Sequence, residues 1–273
     1  MPDVHIALHP SVLEPAELTG TIAVVIDVLR ATTTIVHAFA AGATSVVPCS
    51  EVDEALAKQE ELGADQSVLG GERHGLLIEG FQLDNSPFSY TPQTVGGKIV
   101  IFTTTNGTRA LAAARPAERV LIGAFVNRQA LVSELKRDGR PVWLVCAGTD
   151  GQVTGEDVLF AGAVATDLMG TPPQSSLSPV RIPEIERLPR ASVSAIDFAR
   201  RIYEGYGRNQ PSRLAAMRES QGGLNLLANG FDRDIARAAE DSIFNLVPEW
   251  RDGRITIRSH FKSSWQTLPA SAQ

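Results

Sequence analysis

The sequence predicts an α/β fold: a largely parallel or mixed sheet, helices on both of its faces, and a helical C-terminal part. Short apolar runs rich in β-branched residues alternate with longer helical patterns through residues 21–169. Alternation of this kind is typical of parallel strands joined by crossover helices. After residue 190 the pattern becomes mostly helical, which places helices towards the end of the chain.

The first strand has the clearest signal. Residues 21–28, TIAVVIDV, form a continuous apolar and β-branched run, which predicts a parallel strand buried on both faces. Any one of Thr32, Thr33 and Thr34 can cap the helix that follows, and Gly42 can end it.

The next strand is predicted at residues 45–48, ahead of a well-marked helix over residues 51–62. Ser50 is a suitable N-cap for this helix, with Asp53 in its first turn, and Gly63 can end it.

The remaining elements follow from the same apolar runs and helical periods. Strands are predicted at residues 67–69, 98–102, 119–122 and 142–146, and helices at 106–114, 127–137 and 155–169. The C-terminal part adds helices at 194–206, 212–220 and 231–242, with an edge strand at 254–257. We expect a single domain over residues 1–273.

Two segments show no clear period. Residues 70–97 are rich in Gly, and a connection of this length inside a domain is usually functional or holds small elements. Residues 171–190 carry five Pro and three Ser and predict an exposed linker or lid.

Composition and charge disfavour several classes of protein. The formal net charge of −6 argues against nonspecific nucleic-acid binding, although a local basic pocket still allows a small anionic substrate. Two cysteines do not make a disulfide framework. The N-terminal residues resemble no signal peptide, and no apolar run reaches about 18 residues. We therefore expect a cytoplasmic protein that does not cross a membrane.

Polar and charged residues follow several of the predicted strands. Asp27 and Arg30 follow the first strand, and Glu72 and Arg73 follow the strand at 67–69. Two later strands are followed by Thr103-Thr104-Thr105-Asn106-Gly107-Thr108 and, after a short loop, by Glu156-Asp157. Ligands of parallel α/β sheets bind outside the carboxyl ends of the strands, so we expect these groups to meet in one pocket.

These residue types suit a small, multiply charged anion bound with a divalent metal. Arg30 and Arg73 can each bind a phosphate or sulfonate through two hydrogen bonds. Backbone N–H groups at the start of the helix at 106–114 offer an anion site. Carboxylates are ligands that Mg²⁺ accepts, and four are candidates: Asp27, Glu72, Glu156 and Asp157.

Each group also has a structural interpretation. Asp27 can form a buried ion pair with Arg30, because an unpaired buried carboxylate is costly. Glu72 and Arg73 can form a solvated loop pair, and the acidic residues at 156–157 are favoured at a helix start by the helix dipole. The Thr-rich segment can simply cap its helix.

Several catalytic motifs are absent. The sequence has no G-x-G-x-x-G after the first strand, no G-x-x-x-x-G-K-[ST] and no G-x-S-x-G. The D-x-D-x-T pattern of aspartate-nucleophile phosphatases also fails, because Leu29 and Ala31 occupy the positions of its second Asp and its Thr.

Four segments in order resemble the 2-phosphosulfolactate phosphatase family. They are Val25-Ile26-Asp27-Val28-Leu29-Arg30-Ala31-Thr32-Thr33-Thr34, Gly70-Gly71-Glu72-Arg73 with Asn85-Ser86-Pro87, Thr103-Thr104-Thr105-Asn106-Gly107-Thr108, and Cys146-Ala147-Gly148 with Gly155-Glu156-Asp157. The resemblance implies an α/β fold and Mg²⁺-dependent release of phosphate from 2-phospho-3-sulfolactate, giving 3-sulfolactate. In methanogens this reaction serves coenzyme M synthesis.

On this basis we assign Asp27, Arg30 and Glu72 to catalysis. Substrate binding is assigned to Arg73, Asn85, Ser86, Thr104, Thr105, Asn106, Gly107 and Cys146. The sequence departs from the family pattern at Gly222-Gly223-Leu224, where a Gly-Arg pair is usual, and at Asp84, where Gly is expected. These differences bear on the substrate more than on the reaction class.

The sequence leaves three nucleophiles open: Asp27, a metal-bound water, and Cys146. Two other functions also fit the same residues. One is a metal-dependent hydrolase or lyase acting on another small phosphorylated or anionic acid, and the other is a non-catalytic anion-binding protein. A homodimer is expected only from the frequency of two-fold assemblies.

Overall fold

The computed structural model describes residues 2–170, residue 182 and residues 195–258. Within them the strands are β1 Val4–Ala7, β2 Ile22–Ile26, β3 Ser45–Cys49, β4 Ser67–Gly71, β5 Ile99–Thr103, β6 Arg119–Gly123, β7 Val142–Cys146, β8 Pro248–Arg251 and β9 Arg254–Ile257. The helices are α1 Ala31–Ala40, α2 Val52–Leu62, α3 Pro92–Val95, α4 Asn106–Ala114, α5 Arg128–Asp138, α6 Gly155–Met169, α7 Ala195–Ile202, α8 Gln210–Glu219, α9 Gln221–Ala228 and α10 Asp232–Ala238.

The described strands form one mixed sheet of nine strands in the order β1-β7-β2-β6-β8-β9-β3-β5-β4. Strands β1, β7, β2 and β6 are mutually parallel, and so are β3, β5 and β4. The antiparallel hairpin β8–β9 joins the two groups, because β8 pairs with β6 and β9 pairs with β3. The two parallel groups therefore run in opposite directions along the sheet.

The two parallel groups lie on either side of this hairpin. The register between β3 and β9 consists of one residue pair, Val46 with Ile255. Side chains from both parallel groups share a core with helices α1 and α4. Gly107, which follows β5, consequently lies against the carboxylate of Asp27, which follows β2. Helix α4 thus brings a residue that follows β5 to the end of β2, although the two strands are not neighbours in the sheet.

Strand β2 is buried on both faces, which explains its uninterrupted apolar run. Ile22, Val24 and Ile26 pack in the core formed with α5 and α6, whereas Ala23 and Val25 pack in the core formed with α1 and α4. This alternation is the two-residue period of a strand. Helices on both faces confirm the predicted α/β architecture.

The predicted elements within the described residues are confirmed, with small shifts at several ends. Sequence patterns do not reveal β1, β8 or α9. The prediction of β9 as an edge strand is wrong, because β8 and β3 flank it; the edges of the described sheet are β1 and β4.

Two predicted caps are also wrong. Helix α1 begins directly after Arg30, and the three threonines at 32–34 lie inside it. Their hydroxyl groups donate to backbone carbonyl groups instead, including that of Asp27 at 2.9 Å. The N-cap of α2 is Glu51 rather than Ser50, whose N–H group donates to Glu54.

Residues 70–97 hold small elements. The N–H group of Leu83 donates to the carbonyl of Leu69, and that of Gly71 donates to the carbonyl of Leu83, both at 3.1 Å. A 3₁₀ turn, Pro87–Ser89, and the short helix α3 follow. This segment packs beside β4 and supplies residues to the site described below.

The predicted linker or lid at 171–190 lies outside the described residues, apart from Ile182, which is buried. The tail after residue 258 also lies outside them. No helix in the described part of the chain is both long and apolar enough to span a membrane.

Candidate active site

A cavity of about 330 Å³ opens where β2, β4 and β5 end. The residues predicted for the site that line it are Asp27, Arg30, Glu72, Asn85, Thr104, Thr105 and Asn106. These residues come together as expected from the strand ends. Their individual roles stay predictions.

Asp27 is a buried carboxylate at the end of β2. Its Oδ1 accepts the N–H of Ala31 at 3.2 Å, and the N–H of Gly107 also stabilises its charge. Burial raises the pKa of Asp27 from 3.8 to about 7, and the negative charge of Glu72 contributes to the rise. Asp27 therefore exchanges a proton near neutral pH, the range that suits general acid–base chemistry.

Glu72 ties together two loops at the cavity. Its Oε2 accepts the N–H of Gly75 at 2.8 Å, and its Oε1 accepts the N–H of Thr105 at 3.2 Å. The first contact folds the loop after β4 back on itself, and the second joins it to the connection between β5 and α4. Glu72 thus holds the rim of the cavity in place beside Asp27.

Helix α4 begins at the cavity. Thr105 is its N-cap and makes no side-chain capping bond, so the capping interpretation of the Thr-rich segment does not apply at this residue. A Cβ atom on Gly107 would lie 3.1 Å from both Asp27 Oδ2 and Thr104 Oγ1. Gly107 therefore lets the helix start approach the carboxylate closely, and N–H groups of this turn lie near any anion bound there.

Arg30 does not pair with Asp27 in the way that the structural interpretation proposed. Its Nη1 donates to Oδ2 of the buried Asp234 at 2.5 Å, and its Nη2 donates to the carbonyl of Gly75 at 2.9 Å. The guanidinium also lies 4.3 Å from the centre of the Phe231 ring. Arg30 lines the cavity while these contacts fix its plane.

Asn85 and Ser86 have different positions. Asn85 lines the cavity, and its Oδ1 is buried without a hydrogen-bond partner in the part of the chain that the structure describes. Its amide is therefore available to a ligand. Ser86 is buried behind it and donates to Asp234 Oδ1 at 2.8 Å.

Sequence reasoning missed several residues at the cavity. Asn225 and Asn229 belong to the region of α9, which was not predicted because Gly222 and Gly223 disfavour a helix. His74 and Asp150 also line the cavity, and both have a positive φ, of 55° and 50°. Non-glycine residues rarely adopt this conformation, and it is concentrated at functional sites.

A second cavity of about 380 Å³ lies between α2, α4 and the β8–β9 hairpin. Its charged lining residues are of both signs: Glu54, Lys58, Glu61, Arg115, Asp252 and Arg254. Of the strand-end residues predicted to meet at the site, only Thr108 lines it. We therefore place the candidate active site in the cavity beside Asp27.

Comparison with known proteins decides the family. A family model described as 2-phosphosulpholactate phosphatase matches residues 8–253. The chain belongs to this family.

Relatives in the 2-phosphosulfolactate phosphatase family match along most of their length. A protein of Symbiobacterium thermophilum named "Probable 2-phosphosulfolactate phosphatase" is 39% identical over 250 residues, which cover 90% of this chain and 98% of the relative. A protein of the same name from Clostridium perfringens is 32% identical over 263 residues, covering 95% and 98%. Another, from Thermotoga petrophila, is 34% identical over 236 residues, covering 86% and 92%.

Two residues assigned to substrate binding on the family resemblance lie away from the cavity. The Nη2 of Arg73 donates to the carbonyl of Ser50 at 2.6 Å and lies 4.0 Å from Glu51. Cys146 is fully buried, and burial together with the charge of Asp157 holds the pKa of its thiol well above the usual range. Such a thiol is a poor nucleophile, because the thiolate is the reactive form.

Of the four carboxylates predicted to bind metal, Asp27 and Glu72 line the cavity, whereas Glu156 and Asp157 do not. Asp157 is buried behind the cavity, where its two oxygens accept the N–H groups of Val28 at 2.9 Å and Gly148 at 3.0 Å. Glu156 is buried against Gly222, where a Cβ atom would lie 2.2 Å from Glu156 Oε1. In the described ranges, no group of three or more His, Cys, Asp or Glu side chains is arranged to hold a metal ion.

Asp27 and Glu72 nevertheless fit the magnesium that the family implies. Both line the cavity, and the negative charge of Glu72 contributes to the raised pKa of Asp27. Mg²⁺ is usually held by one or two carboxylates, with water and substrate phosphate filling its remaining positions. The donor set therefore suits a metal bound together with a phosphorylated substrate.

Proposed function

We propose that this protein is a phosphatase that hydrolyses 2-phospho-3-sulfolactate to 3-sulfolactate and inorganic phosphate. The observation that carries the proposal is the convergence of Asp27, Arg30 and the start of α4 in one cavity of a chain that belongs to this family. A buried carboxylate, a fixed guanidinium and backbone N–H donors are groups that position and stabilise a transferring phosphoryl group.

In this proposal Arg30 and N–H groups at the start of α4 other than those of Thr105 and Gly107, which donate to Glu72 and Asp27, hold the phosphoryl oxygens. Both are fixed before substrate binds: Arg30 by Asp234 and Gly75, and the helix start by its approach to Asp27. Preorganised donors of this kind stabilise charge in the transition state without a cost of reorganisation.

Asp27 carries the reaction in one of two ways. Its carboxylate either attacks phosphorus directly, after which water hydrolyses the phosphoaspartate, or removes a proton from a water that attacks phosphorus. In both cases the P–O bond to the sulfolactate oxygen breaks, and that oxygen leaves with a proton. The buried position of Cys146 favours these two over the thiol. Trapping a phosphorylated enzyme in a rapid quench would distinguish them, since only direct attack forms a phosphoaspartate.

Magnesium is part of the proposal, with Asp27 and Glu72 as the residues that would hold it. When bound, Mg²⁺ supplies positive charge that neutralises the phosphoryl oxygens. Glu72 has a second task that does not depend on the metal, because its bonds to Gly75 and Thr105 keep the two loops together.

The test is phosphate release by the purified chain from a panel of small phosphorylated acids, with Mg²⁺ and with EDTA. We expect turnover of 2-phospho-3-sulfolactate that requires Mg²⁺ and is abolished in Asp27→Asn. The control is Asp232→Asn, which removes an exposed carboxylate paired with Arg218. Normal turnover by folded Asp27→Asn, or no turnover of any phosphorylated acid by the wild type, would overturn the proposal.

A second candidate is a phosphatase for another small phosphorylated acid. Two observations favour it. Arg73 binds the carbonyl of Ser50 instead of lining the cavity, and the segment Gly222-Gly223-Leu224 lacks the Arg that is usual in the family. Arg30 therefore provides the one guanidinium among the described residues that line the cavity. A sulfonate must then bind to neutral donors or to His74. Preference for a carboxylate analogue over the sulfonate within the panel would support this candidate.

The finer expectations are also proposals: a cytoplasmic protein, a homodimer, no binding to nucleic acid, and a role in coenzyme M biosynthesis. They rest on sequence composition, the frequency of two-fold assemblies and the family resemblance. Measuring the mass of the purified protein in solution tests the homodimer directly.

A further inference from the structure

Arg30 is a buried cation whose partner comes from the far end of the chain. Its side chain is 2% exposed, and that of Asp234 is 3% exposed. Their 2.5 Å contact joins residues 204 positions apart. A buried charge is costly without a partner, so the carboxylate of Asp234 offsets the cost of burying the guanidinium.

Three contacts together determine the plane of this guanidinium. Asp234 binds Nη1, the carbonyl of Gly75 binds Nη2, and the ring of Phe231 packs against the face. A planar group held at two nitrogen atoms and on one face has little freedom to rotate. Its remaining N–H groups are therefore presented in a fixed direction.

Asp234 is itself held by a second bond. Its Oδ1 accepts the hydroxyl of Ser86 at 2.8 Å, while its Oδ2 accepts Arg30. The carboxylate thus joins the loop after β2 to the Asn85-Ser86-Pro87 segment. It does not line the cavity, so any effect on substrate must pass through its two partners.

We propose that Asp234 is a positioning residue that fixes the guanidinium of Arg30 for binding the phosphoryl group, with Ser86 holding Asp234 in the required orientation. The inference rests on the proposed function, because it takes Arg30 to contact the phosphoryl group. It assigns a task to α10, a helix in which the sequence analysis placed no site residue.

A purely structural ion pair is the competing explanation. Removing one partner of a buried pair lowers stability under either explanation. The test therefore needs a measurement that a loss of stability alone does not change, made at a temperature at which every variant is folded.

The primary experiment compares Asp234→Asn with Asp232→Asn. Asp232 lies on the same helix but is half exposed and pairs with Arg218, so it controls for losing a carboxylate from α10. Loss of a buried, charge-assisted hydrogen bond predicts a fall in kcat of about tenfold to a hundredfold for Asp234→Asn. We expect a smaller change in KM, and no change in either constant for Asp232→Asn.

Ser86→Ala keeps the experiment decisive if Asp234→Asn does not fold. It removes the hydroxyl that holds Asp234 and leaves the ion pair in place. We expect kcat to fall by about threefold to tenfold, less than for Asp234→Asn, because the lost hydrogen bond affects Arg30 only through Asp234. A normal kcat in Ser86→Ala, or in folded Asp234→Asn with only a lower melting temperature, would overturn the proposal.

Chemical rescue adds a readout specific to positioning. In Arg30→Ala, free guanidinium ion at millimolar concentration can occupy the vacated space between Asp234, Gly75 and Phe231. We expect it to restore part of kcat in Arg30→Ala and not in the double variant Arg30→Ala/Asp234→Asn. Equal rescue of both variants would contradict the proposal.

Binding of inorganic phosphate separates this inference from the proposed function. If the wild type hydrolyses nothing but binds phosphate at least tenfold more tightly than Asp234→Asn, with Asp232→Asn unchanged, the positioning role stands and the reaction is wrong. If the wild type is an active phosphatase and Asp234→Asn matches it in both kcat and phosphate affinity, the positioning role alone fails.

Discussion

Replacing Asp27 by Asn should stabilise the metal-free protein at alkaline pH. The carboxylate is buried beside Glu72, and this environment raises its pKa from 3.8 to about 7. Asn has nearly the same shape and can still accept the N–H of Ala31, but it carries no charge. The variant therefore removes the cost of ionising a buried group while keeping the local backbone contact.

The sign and size of this change in stability follow from proton linkage. Since the pKa is higher in the folded state, the folded state binds the proton more tightly, and the stability this provides is lost as pH rises from about 4 through 7. The difference between the two pKa values corresponds to about 4 kcal/mol when the group is fully ionised. At pH 4.5 Asp27 is mostly protonated in the folded state, and the same relation gives a remaining ionisation cost of about 1 kcal/mol.

The assay is urea or thermal unfolding of wild type and Asp27→Asn in EDTA at pH 4.5 and pH 8. We expect the variant's advantage to grow by about 3 kcal/mol between these two pH values. For a chain of this size that is a shift in Tm of about 6 to 12 °C. Added Mg²⁺ should then raise the Tm of the wild type and leave that of Asp27→Asn unchanged.

Asp232→Asn is the control with the opposite sign. Its exposed carboxylate has a lowered pKa because Arg218 binds it, so removing it should give no gain at pH 8. A stability difference between wild type and Asp27→Asn that does not vary with pH would refute the reasoning. So would a variant less stable than the wild type at pH 8 in EDTA.

Three further predictions concern other positions at or near the site. In Gly107→Ala the added methyl group would meet three neighbouring atoms at 3.0 to 3.1 Å, so kcat/KM should fall about tenfold. The control, Gly205→Ala, has nothing within 4 Å of its methyl group and should not change kcat/KM. Arg73→Ala should leave KM nearly unchanged, because the guanidinium of Arg73 binds the carbonyl of Ser50. A rise in KM for the sulfonated substrate alone would instead support the assignment of Arg73 to substrate binding. The thiol of Cys146 is buried and its pKa is raised, so Cys146→Ala should keep at least about a third of the wild-type kcat, and iodoacetamide should not inactivate the native enzyme. Rapid inactivation by iodoacetamide would instead support the thiol as a nucleophile.

Most of the elements could be predicted because their signals are local. The apolar run at 21–28 predicts a strand whatever its partners are, and the helix at 155–169 has the same bounds in the structure. Strand β1 and helix α9 were missed for a related reason. β1 is only four residues long, and α9 begins with two glycines, so packing rather than propensity decides both.

The candidate site could be predicted as a set of strand ends but not as an arrangement. The expectation assumed that the strand ends share one edge of a parallel sheet. In the structure the two parallel groups run in opposite directions, and Gly107, which follows β5, nevertheless lies against Asp27, which follows β2. The predicted residues thus converge as expected, but not because their strands lie side by side in one parallel sheet.

The sequence by itself determined the α/β class, the order of most elements and the chemistry available at the strand ends, because periodicity, turn residues and motif segments are properties of near neighbours in the chain. Only the tertiary structure decided which of those groups act together. It turned Arg73 towards Ser50, buried Asp157 behind the cavity, and paired Arg30 with Asp234 across 204 positions. The direction of a side chain and the partner of a buried charge depend on how distant segments pack, and no local pattern records that.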